Sequence, residues 1–198
     1  MAILYSMEFH SEEFIHNRVR IPGFTLSAGS LIRIYIPNFD RANRTLGMGL
    51  AFELIAHFQN KWPGLKWAKN YSQPRLPALI WPITVARYLR HIMQLDVQSA
   101  GGIAKKLQVS LKDKFESLDF KTRKALTILA AYQNHDTILF DYYGIDALSI
   151  EFLENLVNDE IETGKSAIAF DNLQYAPGKE PFENIIPIKI SIDLLEES

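Results

Sequence analysis

Apolar positions recur along this chain in two periods, about 3.6 and 2 residues, and the switches between them mark out the elements. The stretch "FTLSAGSLIRIYIPN" holds two apolar runs around Ser27-Ala28-Gly29, which predicts strand, tight turn and strand. The second run, Leu31 to Ile36, stops at Pro37-Asn38, because proline cannot donate to a ladder and Asn favours turns. Beyond it, Leu46, Leu50, Leu54, Ile55 and Phe58 share one face of an amphipathic helix that ends before Pro63-Gly64. From Trp62 to Pro82 the chain is rich in proline and aromatic residues and reads as a long connection. Ile83, Ala86, Tyr88, Leu89, Ile92 and Met93 then line a second helix.

Gly101-Gly102 predicts a break, followed by two short helices at about 103–109 and 111–117. Ala125, Leu126, Ile128, Leu129 and Tyr132 give one side of a further helix, and "TILFD", ending at Asp141, gives a buried strand. A helix from about Ser149 to Thr163 follows, with Gly164 where a left-handed C-cap belongs. "KSAIAF" is another short strand, and the proline in "IIPIKISID" marks that segment as an edge strand or hairpin arm. A strand–loop–helix opening, a helical middle and a closing strand–helix–strand predict an α/β fold with parallel central strands and right-handed crossovers. No internal repeat is visible.

Composition narrows the chemistry. The 198 residues favour one domain, and 47% apolar content is enough to fill its core. No apolar run approaches the roughly 20 residues of a membrane span, and the opening "MAILYSMEFHSEEF" lacks the pattern of a secretory signal. Zero cysteines exclude disulfides and thiolate metal sites, and the expected location is cytoplasmic, reaching the inner face of a membrane through a partner. His10, His16, His57, His91 and His135 show no metal-ligand spacing, so no metal site is expected. No Gly-x-Ser-x-Gly elbow exists. Charge is asymmetric: 18 of the 21 Lys and Arg precede residue 138, against 10 of the 23 acids. Two solvated faces account for that pattern, and steering of a polyanion is the alternative.

One stretch raises a sharper question. "TILFDYYGID" runs a buried strand into Asp141, as strands do that hold Mg²⁺ beside a nucleotide, yet Tyr142 and Tyr143 follow in place of a second acid. The order of segments resembles the nucleotide-binding domain of ATP-binding-cassette (ABC) proteins, from about Phe24 to Leu173. "LSAGSLIRIYIPN" is similar to the strand before the phosphate loop, and "NYSQPRLPALIWPITVARYL" to the segment carrying the family glutamine, here Gln73. "ESLDFKTRKALTILAAY" stands where the signature belongs, "TILFDYYGID" where the Mg²⁺ strand and dimer-contact loop belong, and "GKSAIAFDNL" where the switch loop belongs. The resemblance implies a P-loop-NTPase-like core sheet with a reduced helical subdomain. One domain then spans residues 1–198, its core at about 1–73 and 120–198 and its helical lobe at about 74–120.

Each landmark departs from the working pattern. In register with Asn38, Phe39, Asp40 and Arg41 replace small residues of the phosphate loop, Ala42 replaces its lysine and Asn43 its hydroxyl. Arg44 offers charge, but a guanidinium fork does not rebuild a nest of N–H donors. Ser117 survives from the signature, followed by Leu118 and Asp119 instead of glycines. Tyr142 takes the place of the catalytic glutamate, and a phenol of pKa about 10 is a poor base at neutral pH. Asn172 takes the place of the switch histidine, and Asp146 matches the interface aspartate. The expectation is a set of vestigial nucleotide-site positions without catalytic residues, and no cofactor, ATP and Mg²⁺ included.

What the resemblance then implies is a non-hydrolysing subunit of a transporter-type complex. It would pair with an active ABC ATPase, or with its own copy, or dock on a membrane permease. Trp62, Trp67, Arg75 and Trp81 are the expected docking residues, since in the family that segment faces the helical lobe and the membrane partner. Two other readings stay open: an active ATP-binding subunit with unorthodox motifs, and a regulatory module associated with nucleic acid. The second is disfavoured, because a protein groove uses the aromatic segment more economically.

Overall fold

The computed structural model describes residues 8–17, 19–40, 43–74 and 81–191. Its centre is the run predicted at Leu31–Ile36 (β5), which is buried at all six positions. Such a strand needs partners on both edges and cover on both faces, and it has them. It pairs in parallel with Ser166–Asn172 (β8) on one side and Ile185–Lys189 (β9) on the other. Thr137–Asp141 (β7) pairs in parallel with β8, and a short strand, Lys66–Trp67 (β6), closes the far edge. The five-stranded sheet has the order β6-β7-β8-β5-β9, parallel throughout. As its proline predicted, β9 is an edge strand.

Because side chains alternate across a strand, one register supplies two cores. Ile32, Ile34, Ile36, Leu139, Ile168 and Phe170 face the helix Gly47–Lys61 (α1), against Leu50, Leu54, Ile55 and Phe58. Four short strands complete that layer: Phe9–Ser11 (β1), Phe14–His16 (β2), Val19–Ile21 (β3) and Phe24–Leu26 (β4), paired β1 with β4 and β2 with β3. The first arm of the predicted strand–turn–strand is β4, paired with β1; the other three were not foreseen, since three residues are too few for a period to show. Leu31, Ile138, Phe140, Ala167 and Ala169 face the other way, onto the helical side. There lie Phe120–Asn134 (α4) and Ala147–Glu162 (α5), with Leu126, Leu129, Leu153, Leu156 and Val157 buried.

The middle of the chain departs furthest from expectation. The helix predicted from Ile83 is a single α-turn, Val85–Arg87 (α2), capped by the Thr84 hydroxyl, and it continues as a π-turn from Tyr88 to Ile92. The Met93 N–H accordingly donates to the Tyr88 carbonyl, five residues back, at 3.0 Å. Gly101-Gly102 does not break the chain: both lie inside the helix Val97–Lys106 (α3). Asp96 caps α3 through the Ser99 N–H at 2.9 Å, and Ala100, Ile103 and Ala104 are buried beneath it. That cap and burial outweigh the roughly 1 kcal/mol that each glycine costs a helix. Of the predicted helix at 111–117 only a 3₁₀ turn, Phe115–Ser117, forms. Gly164, at φ +95°, ends α5 as its position predicted.

Candidate functional site at the strand ends

In an open parallel sheet ligands collect beyond the carboxyl ends of the strands, and those of β5, β7 and β8 lie side by side here. Past β5 the chain makes a small hairpin bridged at Phe39 and Thr45 before entering α1. Several of its described backbone donors are engaged within the hairpin or with its base. The Asp40 N–H donates to the Arg44 carbonyl and the Asn43 N–H to the Asp40 carbonyl. The Leu46 and Gly47 N–H groups donate to the Asn38 and Pro37 carbonyls. The Asp40 carboxylate accepts the Arg44 N–H at 2.8 Å and its Nε at 2.6 Å. Asn43 sits at φ +58° at the tip.

The end of β7 is closed in another way. Asp141 Oδ1 accepts a hydrogen bond from Lys124 Nζ at 2.7 Å, and both side chains are buried. The same oxygen accepts the Tyr143 N–H at 3.1 Å, and Lys124 also donates to the Tyr143 carbonyl. Burial lowers the Lys124 pKa, and Asp141 opposes that shift by favouring the ammonium form. Next to it Tyr142 is buried, and burial pushes its phenol far above the ordinary value. A phenol held neutral in this way has no proton-accepting role near pH 7. Gly144, at φ +78°, makes the turn that follows; a Cβ there would stand 3.2 Å from Phe120 Cε1.

A second charged cluster occupies the ends of β5 and β8. Tyr35 is paired with Asp171 and Ile36 with Asn172 in the parallel register. Arg33, one pleat earlier on the same face as Tyr35, donates through Nη2 to Asp171 Oδ2 at 2.5 Å and through Nε at 3.2 Å. Its Nη1 donates to Glu154 on α5 and, at 3.3 Å, to Glu180. The guanidinium lies 4.7 Å from the centre of the Tyr142 ring and 5.1 Å from that of Tyr35. The Tyr35 hydroxyl donates to Glu180 at 2.6 Å. Burial opposes the Arg33 charge, but Tyr142 and Asp171 outweigh it and the guanidinium stays protonated. Burial also raises the Glu154 pKa, with Arg33 pulling against it and Glu180 and Asp171 adding to it.

The residues singled out from sequence fall into separate groups. Asn38 and Asn172 meet across the two strand ends, Asn172 Nδ2 donating to Asn38 Oδ1 at 2.8 Å, while Asn38 Nδ2 donates to Gln174. Asp141 lies on the neighbouring strand, tied to Lys124. Gln73 instead staples its loop: its Oε1 accepts the Ile83 N–H and its Nε2 donates to the Trp81 carbonyl, both at 3.0 Å. Ser117 donates to the Lys114 carbonyl. Asp146 caps α5, accepting the Ser149 N–H and hydroxyl, and those bonds lower its pKa. Trp62 packs against Phe58 and Phe9 in the α1 core, and Trp67 sits on β6 with Phe52 at 5.3 Å. Trp81 is 72% exposed. Arg75 lies outside the described residues.

No protein-family model and no curated protein matches this sequence. Solved structures do match. A protein described as an ABC transporter ATP-binding protein from Pyrococcus furiosus superimposes with a TM-score of 0.64 over 91% of this chain and 96% of its own, at 12% identity. An ATP-binding cassette of an ABC transporter, MJ1267, gives 0.61 over 93% and 89%, at 13% identity. CbiO1 from Clostridium perfringens, part of the transporter complex CbiONQ, gives 0.58 over 94% and 87%, at 12% identity.

The chain has the fold of an ABC-type nucleotide-binding domain.

The α/β core expected from the segment order is therefore confirmed, with its parallel sheet. One expectation is corrected. A reading without any cofactor, ATP and Mg²⁺ excluded, does not survive the match to structures named as ATP-binding cassettes, one of them solved in an ADP conformation. Among the described residues the Asp40, Asn43, Leu46 and Gly47 N–H groups are engaged and Asp141 Oδ1 is held by Lys124, so no chemical step is routed through them. Among the described residues no group of three or more His, Asp or Glu is placed to hold a metal ion.

Arg33, Lys124, Glu154, Asp171 and Glu180 were not singled out from sequence. For Arg33 the signal was there: a guanidinium inside "LIRIYI", a strand otherwise fully apolar, must find buried partners. Which acids those are could not be read, because Asp171, Glu154 and Glu180 lie more than 120 residues downstream.

Proposed function

We propose that this chain is a non-hydrolysing ABC-type subunit that works as a structural or regulatory partner in a transporter-type complex, beside an active ATPase or on a membrane permease. The carrying observation is the end of β7. Where the resemblance places the catalytic acid, a buried neutral Tyr142 stands, and the preceding Asp141 is held by Lys124. The phenol is no base near pH 7, and Lys124 occupies Asp141 Oδ1. Asn172, at the position of the switch histidine, holds Asn38 and caps the Gln174 N–H through its side chain. Nucleotide enters this reading as the ligand class of the fold's neighbours; what the proposal withholds is turnover.

A subunit without turnover acts through its surfaces. Among the described residues no helix is long and apolar enough to cross a membrane, so a membrane role runs through a partner, from the cytoplasmic side. In the docking segment Trp81 exposes its ring, whereas Trp62 is packed. Aromatic anchors of that kind are the usual energetic centres of an interface. The deciding experiment measures Mg²⁺-dependent ATP turnover of the purified chain, alone and with its co-purifying membrane complex. The chain alone should stay at background, and turnover that disappears in Asp141→Asn would sink the proposal. Trp81→Ala should lower recovery of the complex, by about 1–4 kcal/mol of binding, without lowering the melting temperature.

A further inference from the structure

Beside the Arg33 cluster lies a pocket of about 540 Å³, between the start of α5 and the segment from Tyr175 to Pro181. It falls within the size range of small-molecule sites. Its walls are apolar: Ile145, Ala147, Ile150, Pro177 and Pro181. Arg33, buried, and Glu154, mostly buried, line it as well, and Tyr175, 65% exposed, stands on its outer side. It does not involve the hairpin at residues 38–47, and nothing in the proposed function uses it.

The sign of the charge it would accept follows from the hydrogen bonds. Arg33 is the one cation of the buried cluster, and each of its nitrogens already donates: Nε and Nη2 to Asp171, Nη1 to Glu154 and Glu180. An anion there would face three carboxylates around that single guanidinium. Those three stand against one guanidinium, since Lys124 is paired with Asp141. Glu180 receives a second donor, the Tyr35 hydroxyl, but a phenol brings no charge. Burial and the neighbouring acids already disfavour the ionised form of Glu154. Lys179 and Asp146 on the lining are exposed and oppose each other in sign, so solvent screens both. Buried charge of one sign is stable only when matched, and a cation arriving beside Glu154 supplies the match. A bare metal ion is disfavoured by the apolar walls, and among the described residues no group of three ligands is placed to hold one. An aromatic ring at the mouth suits an organic cation, through its π-face.

We infer that the pocket between α5 and the 175–181 segment binds a small organic cation, an amidine, guanidine or amine with an apolar body, with its charge at Glu154 and its body between Ile150 and the two prolines.

Benzamidine is the probe, with benzamide as its neutral isostere and benzoate as its anionic counterpart. Saturation-transfer NMR and calorimetry on the full chain should show benzamidine bound with a Kd of about 1 mM and the other two at least about tenfold weaker. Ala147→Trp fills the pocket from an exposed position; it should weaken benzamidine at least about tenfold while the melting temperature holds. Glu154→Gln keeps a hydrogen-bonding group for Arg33 and removes the charge, with the same expected loss. Equal binding of benzoate or benzamide would overturn the inference, and so would benzamidine binding unchanged by Ala147→Trp. No saturation transfer at about 10 mM benzamidine would overturn it as well. Because the readout is binding of an added cation, the result does not depend on whether the chain turns over ATP.

Discussion

The two faces of the central sheet are built from the same strands and behave differently. Toward α1 the middle positions of β5, β7 and β8 are apolar, beyond a buried hydroxyl pair, Thr137 and Ser166, where β7 and β8 begin, and the cluster is completed by Phe58 stacked on Trp62 and Phe170. Toward α4 and α5 the face begins apolar with Leu31, Ile138 and Ala167, then turns charged at Arg33 and Asp171. Asp141, at the end of β7, pairs with Lys124 from α4 on this helical side. Apolar contacts are non-directional and tolerate change by degrees, whereas a buried ion pair fails as a unit when one member is removed. The first face therefore carries the fold, and the second fixes one arrangement of α4, α5 and the segment from Tyr175 to Glu180 around the strand ends.

The largest way to break this contrast is Lys124→Met. It leaves the Asp141 carboxylate buried without its cation, and the expected loss is about 3–5 kcal/mol in denaturant unfolding. Adding Asp141→Leu should recover most of that loss, because a well-packed apolar pair can replace a buried ion pair at little net change. A double variant as unstable as the single one would show that the pair's packing, not its charge, holds the two elements. Ile34→Val tests the other face; it removes one methylene from a fully buried position and should cost about 0.5–1.5 kcal/mol with the transition slope unchanged.

The smallest effect concerns acid. His57 stacks on Phe14 at 4.5 Å and lies 5.9 Å from His16, which meets Glu53 at 3.2 Å. Burial, then His16 and Lys61, lower its pKa below the ordinary 6.5. A depressed value means that the unfolded chain takes up the proton first. The stability tied to neutral His57 is therefore complete above about pH 6.5 and is lost as pH falls through the folded value. The melting temperature should decline on acidification from pH 7.5, and His57→Gln should flatten that decline. An unchanged slope in the variant would move the effect to another group, such as His135, whose pKa burial also lowers.

Much of the first face was legible in the sequence. Leu50, Leu54, Ile55 and Phe58 fall at helical spacing and Leu31 to Ile36 form an unbroken apolar run, so element type and burial followed directly. The order of landmarks from Phe24 to Leu173 carried the fold as well, and the superpositions agree with it. The site was legible in part. Asn38, Asn172 and Asp141 do gather at adjoining strand ends, but Gln73, Ser117 and Asp146 serve as local staples and caps. Residue type does not reveal whether a polar side chain serves its own loop or faces a ligand, since both use the same hydrogen-bonding groups.

By itself the sequence determined the periods, the breaks at Pro37 and Gly164 and the parallel α/β class. Those are properties of neighbours a few residues apart, which propensity and side-chain alternation govern. Only the tertiary structure decided that Lys124 neutralises Asp141, that Arg33 gathers Asp171, Glu154 and Glu180, and that a pocket opens between α5 and the Tyr175–Pro181 segment. It also decided that α3 runs through Gly101-Gly102. Each of these rests on burial or on partners distant along the chain, and the electrostatic energy of such a contact depends on distance and dielectric in the folded state, which no local pattern encodes.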